Sequence, residues 1–117
     1  MAKSIGFKKV KTAVFISGKG SNLKSLIKFS NQKNSPISIR LIISNNPKSK
    51  GLNIGNFYKI KKKVFNLKRN NLDEKKTILE LNKNKIDMIC LAGFMKILSK
   101  NFIKNFKGKI LNIHPSL

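Results

Sequence analysis

The sequence predicts an α/β fold with a mostly parallel, Rossmann-like sheet flanked by helices. Three observations predict it. Short apolar runs alternate with stretches of helical spacing along the chain, the pattern of successive βαβ units. The run from Ile86 to Ala92 is nearly all apolar, as expected for a central strand covered on both faces. A turn-forming segment, Ser17-Gly18-Lys19-Gly20-Ser21-Asn22, separates the first apolar run from the first helical stretch.

Each element follows from local pattern. Thr12 to Ile16 is a compact apolar run, read as a buried strand. After the glycine turn, Leu23, Leu26 and Ile27 recur at helical spacing, with Ser21 or Asn22 available as N-cap. Ile37 to Ile43 is β-branched and apolar, a second strand closed by Ser44-Asn45-Asn46-Pro47. Gly51 to Tyr58 holds a short helix, and Lys63 to Leu67 a short third strand. Asn71 to Asn84 is the clearest helix. Asn71 and Glu74 form a capping box, Asp73 and Glu74 lie where the helix dipole favours negative charge, and Ile78, Leu79 and Leu81 supply the apolar face. Gly93 ends the strand from Ile86 to Ala92. Ile97 to Phe106 is helical, and Ile110 to Ile113 begins a further strand.

Composition bounds the partners. The 117 residues suit a single domain, 1–117, with one core. No apolar run approaches the length of about 20 residues that spans a bilayer. The segment Met1 to Lys11 lacks the continuous apolar stretch of a secretory signal. A lone Cys90 cannot form an internal disulfide, which fits a reducing cytoplasm, and with a single His no metal site is expected. Lys and Arg number 26 against 4 acidic residues, a net charge of +22. That excess raises the question of nucleic acid. However, the Lys are dispersed, only Arg40 and Arg69 offer the forked guanidinium that reads bases, and Lys, Asn, Ile and Phe are over-used together as A/T-rich coding produces. Nucleic acid is therefore not the expected partner, while a general attraction for anionic substrates is. Lys61-Lys62-Lys63 reads as a solvated cluster, and Cys90, inside its apolar run, as core.

Two segments carry candidate chemistry. Glycines between a strand and a helix let backbone approach an anion, and the helix N-terminus offers unpaired N–H groups. A phosphate is the natural guest for Gly18 to Asn22. The segment is not a dinucleotide fingerprint, since Leu23 stands at the third glycine's place, and not a Walker loop. Asn112 and His114 are two apart on a predicted strand, so both face one side. An amide and an imidazole together suit acyl transfer, one donating to a developing oxyanion and the other donating or shuttling a proton. Judged by spacing alone, an ordinary βα turn and a structural His remain open. Pro115 favours an extended or turning backbone at His114.

Taken together and in order, three segments resemble the phosphoribosylglycinamide formyltransferases: Ile16-Ser17-Gly18-Lys19-Gly20-Ser21-Asn22-Leu23, Leu91-Ala92-Gly93-Phe94-Met95-Lys96-Ile97-Leu98, and Leu111-Asn112-Ile113-His114-Pro115-Ser116-Leu117. The resemblance runs from about Thr12 to Leu117. It implies transfer of a formyl group from 10-formyltetrahydrofolate, as cosubstrate, to the amine of 5'-phosphoribosylglycinamide in purine synthesis. It also implies small-molecule partners, no metal and a cytoplasmic location. By the same resemblance, backbone groups of Gly18, Lys19, Gly20, Ser21 and Asn22 hold the substrate phosphate. Phe94, Met95, Lys96, Ile97 and Leu98 line the pterin pocket, with Asn112 also on the folate side. Asn112 and His114 stabilise the tetrahedral intermediate, and Pro115 helps position the amine.

Methionyl-tRNA formyltransferase and formyltetrahydrofolate hydrolase share the Asn-x-His pair, but the turn from Ser17 to Leu23 resembles the glycinamide enzyme and not theirs. Two departures stand out. Lys96 occupies a place where many members carry Arg. The family's catalytic Asp lies beyond the Asn-x-His strand, past the last of these residues. The resemblance therefore implies an N-terminal portion of such an enzyme, a fragment or a truncated product. An inactive remnant that at most binds phosphorylated ligand, and a basic nucleic-acid-binding module, are the alternatives.

Overall fold

One strand buried on both faces organises the molecule. The computed structural model describes residues 8–67 and 71–113, the side chain of Asn71 excepted. In it the last five residues of β1 (Val10–Ile16) are all buried. β2 (Ile37–Ser44) and β4 (Met88–Ala92) pair with β1 on its two sides. β3 (Lys61–Val64) lies outside β2, and β5 (Lys109–Ile113) outside β4. The order is β3-β2-β1-β4-β5 and every pairing is parallel, as the expected Rossmann-like α/β fold requires. The chain winds outward from β1 to β3, then returns to the far side of β1. That reversal between β1 and β4 opens a crevice at the carboxyl ends of the strands.

The period of two sorts β1 into two cores. Ala13 and Phe15 face α3 (Asn71–Lys83) and α4 (Lys100–Asn105), packing with Leu41, Ile43, Leu81, Ile89 and Phe102. Val14 and Ile16 face α1 (Ser21–Ser30) and α2 (Gly51–Tyr58), packing with Leu23, Ile27, Ile42 and Cys90. Phe15 meets Phe94 and Phe102 edge-on, at 5.3 and 6.2 Å between ring centroids. Burial pushes the Cys90 thiol up from its ordinary range, so it stays a neutral core group.

Local chemistry moves several predicted boundaries. The third strand is Lys61–Val64, not Lys63 to Leu67. Phe65 N–H still bonds Ser44, but Leu67 N–H then bonds the Phe65 carbonyl at 2.9 Å, a tight turn that leaves the ladder and buries Leu67. The lysine triplet thus forms most of an edge strand, where repeated charge discourages pairing with other chains. Helix α4 starts at Lys100 instead of Ile97, because Ser99 is its N-cap and its hydroxyl accepts from Phe102 N–H at 3.0 Å.

Glu74 of α3 reaches the start of α4. Its carboxylate accepts from the Ser99 N–H at 3.2 Å and hydroxyl at 2.5 Å, tying α3 to α4. The Asn71 side chain lies outside the described residues. On α3 the inward positions are Thr77, Ile78 and Leu81, while Leu79 is 67% exposed instead of joining the apolar face.

Lys61 reaches from the edge strand to Glu80 on α3 at 3.0 Å. Burial alone would raise the Glu80 pKa, but the hydrogen bonds from Lys61 and Asn84 and the charges of Lys61 and Lys63 bring it below the ordinary 4.5. A carboxylate with a lowered folded-state pKa stabilises the fold above its unfolded value and loses that contribution as pH falls through the folded one. Glu80→Gln should therefore lower stability at pH 7 by up to about 1 kcal/mol. In urea unfolding the gap from the parent protein should close as acid protonates Glu80 below the ordinary carboxylate range, and a gap that widened in acid would contradict this account.

Candidate active site

The first helix begins on glycine. Gly20, and neither Ser21 nor Asn22, is the N-cap of α1, in the left-handed conformation at φ 84°. No side chain caps this end and its first turn holds no acidic residue. The first helical N–H groups have no partner within a helix by geometry, and the first return bond is Lys24 N–H to the Gly20 carbonyl at 2.9 Å. An uncapped N-terminus with the positive end of the helix dipole behind it is a ready anion site.

Backbone contacts shape the turn beneath it. A Cβ on Gly20 would stand 2.7 Å from the Gly51 Cα, so the starts of α1 and α2 meet backbone to backbone. The Gly18 carbonyl accepts from the Ser49 hydroxyl at 2.6 Å and Gly51 N–H at 3.1 Å. In a trans peptide the carbonyl and the next N–H point oppositely, so this anchor turns the Lys19 N–H away from α2. Lys19 itself is exposed, and a Cβ on Gly18 would meet no protein atom within 4 Å.

The loop after β4 lies against this turn. Met95 N–H donates to Ser17 Oγ at 2.8 Å, while the Ser17 hydroxyl donates to Asn45 Oδ1 at 2.7 Å. Phe94 packs edge-on against Phe15, and Leu98 is buried in the same core. Met95 and Ile97, in contrast, are 83% and 90% exposed. Lys96 is half-buried between them. The segment Phe94 to Leu98 is thus held at two apolar points and offers two apolar side chains outward.

Asn112 is exposed near the end of β5, in register with Leu91 of β4. The glycine turn, the segment Phe94 to Leu98 and Asn112 therefore gather at the carboxyl end of the sheet, around β1, β4 and β5. His114 and Pro115 lie outside the described residues. A groove of about 600 Å³ between α3 and α4, lined by Ile78, Leu79 and Phe102 among others, includes none of these candidates. Among the described residues, no three of His, Cys, Asp and Glu gather as metal ligands, and no helix is long and apolar enough to cross a membrane.

The formyl transferase family model matches residues 10–117. The chain belongs to that family. It is 44% identical over 113 residues to the human trifunctional purine biosynthetic protein adenosine-3, covering 94% of this chain and 11% of that protein. It is 43% identical over 110 residues to phosphoribosylglycinamide formyltransferase of Haemophilus influenzae, covering 92% of this chain and 52% of that protein. The crystal structure of phosphoribosylglycinamide formyltransferase from Brucella melitensis superposes with a TM-score of 0.86 at 36% identity, covering 94% of this chain and 59% of that one. The chain thus spans about half the length of the single-enzyme relatives and about a tenth of the trifunctional one.

Within this formyl transferase chain, three polar residues help shape the turn without having been singled out from the sequence. In the sequence, Ser17 and Asn45 read only as parts of turn segments, and Ser49 carries no reading of its own. The available signal was their placement just after two neighbouring parallel strands, where hydroxyls and amides can bridge adjacent loops. The two turn glycines should respond differently to a methyl group. Gly20→Ala should lower stability by about 1–3 kcal/mol, since it combines a left-handed φ with a backbone clash. Gly18→Ala should stay within about 0.5 kcal/mol in the same urea titrations. Equal losses at both would show that space is not what distinguishes them.

Proposed function

We propose that the chain carries the substrate-binding edge of a phosphoribosylglycinamide formyltransferase acting in purine synthesis. The uncapped start of α1, hydrogen-bonded through Ser17 to an outward-facing apolar loop, is the observation that supports this reading most. Backbone N–H groups of Gly18 to Asn22 take the substrate phosphate. Phe94 to Leu98 take the pterin of 10-formyltetrahydrofolate through backbone and apolar contact, with the folate as cosubstrate rather than resident group. The relatives named as this enzyme make the small phosphorylated substrate the natural choice over tRNA.

In this reading the substrate amine attacks the formyl carbon, forming one C–N bond and pushing the carbonyl electrons onto oxygen. Asn112 donates to that oxyanion. His114 donates to it or carries the amine proton to the folate nitrogen, which leaves as its bond to the formyl carbon breaks. Pro115 helps hold the amine in line. Of the carboxylates among the described residues, two that could serve as a third catalytic group are already committed. Both Glu74 oxygens are engaged by Ser99, and Glu80 is paired with Lys61. That engagement favours a second reading, in which this chain binds phosphorylated ligand without turnover.

An assay of the chain with 10-formyltetrahydrofolate and phosphoribosylglycinamide separates the two. Under the first reading, formyl transfer is seen and Asn112→Ala lowers kcat by about 10²- to 10³-fold, the usual loss of an oxyanion donor. Full activity in Asn112→Ala would overturn the assigned role. Phosphate-ligand binding with no turnover would select the second reading.

A further inference from the structure

We propose that Ser17 is a positioning residue that couples the phosphate turn to the folate-side loop; this rests on the binding roles given above. Phe94 and Leu98 hold the loop after β4 by apolar packing, which sets position but not direction. The Met95 N–H bond to Ser17 Oγ, at 2.8 Å, adds direction, and it spans 78 positions of sequence. Its polarity is fixed. The one hydroxyl proton of Ser17 goes to Asn45 Oδ1 at 2.7 Å, so a lone pair faces Met95.

The backbone of the same residue is held as well. The Ser17 carbonyl accepts from Asn46 Nδ2 at 3.3 Å, and the next carbonyl, of Gly18, accepts from Ser49 and Gly51. An anion that stiffens Gly18 to Asn22 acts on backbone directly joined to Ser17. Stiffening there narrows the motion of the Ser17 hydroxyl and strengthens the Met95 bond. A folate approaching Met95 to Leu98 then meets a segment already ordered, which couples the two sites positively without displacing either. By linkage, the effect runs equally in both directions.

Ribose 5-phosphate tests this on the full 117-residue chain, read by amide NMR and hydrogen exchange. The ligand should shift the Gly18 to Asn22 amides and slow Met95 exchange about fivefold, at the lower end of ordinary coupling. In Ser17→Ala the turn amides should still respond while the slowing at Met95 disappears, and Ser17→Thr should restore it. Asn45→Ala, which frees the hydroxyl proton to rotate, should reduce the Met95 effect and carries the test if Ser17→Ala does not melt cooperatively. A responding turn with no slowing at Met95 in the parent chain would overturn the coupling alone. So would slowing that persists in both the Ser17 and Asn45 variants. Silence of the turn amides would overturn the phosphate reading, and the coupling with it.

Discussion

Burial of β1 on both faces is the constraint from which the rest follows. Its backbone groups go to β2 and β4, and its side chains fill two separate cores, so neither strand nor register has freedom to shift. A slip of one residue would exchange Phe15 with Val14 or Ile16 and empty both cores at once. The one irregularity, a register shift opposite Thr12 and Ala13, lies toward the amino end and leaves Arg40 exposed. The carboxyl end stays regular up to Ile16, and that regularity fixes where the glycine turn begins.

From that fixed point the site is built mainly of backbone. Gly20 and Gly51 let two helix starts meet, and the Gly18 carbonyl is drawn into α2. These contacts hold peptide groups, not side chains, in place. Phe15 extends the same control to the next loop, since one face of its ring environment is Phe94. A core residue of β1 and a turn residue of β1, Phe15 and Ser17, thus locate the loop after β4 from below and from the side. Met95 and Ile97 remain exposed because their neighbours Phe94 and Leu98 already satisfy the core.

Much of this was legible in the sequence, and the reasons for the misses are physical. Thr12 to Ile16 and Ile86 to Ala92 announced central strands because apolar continuity is what two-sided burial demands. The glycine turn announced its place but not its cap, since Ser21 and Asn22 both fit a rule that the left-handed Gly20 pre-empted. β3 was misplaced because pairing with Leu41 to Ser44, not β-propensity, selected Lys61 to Val64. Glu74 looked local, yet its partner lies 25 positions away on another helix start. Spacing placed Asn112 correctly on a strand near the carboxyl end of the sheet. It could not reveal Ser17, whose partners come from two other loops.

The distribution of charge bears on how such a site meets its ligands. With +22 spread over 117 residues, almost any face of the chain attracts anions, so charge alone cannot tell one site from another. Discrimination has to come from groups with direction. At the start of α1 those groups are N–H donors held by glycine geometry, and Lys19 beside them is exposed and adds only field. A side-chain site would depend on the identity of the residue that carries the charge. A backbone site depends on the positions of Gly18, Gly20 and Gly51, and its neighbours can drift toward lysine without altering the donors. The excess of positive charge and the proposed recognition of phosphate at this turn are therefore compatible, because attraction and recognition would be carried by different atoms.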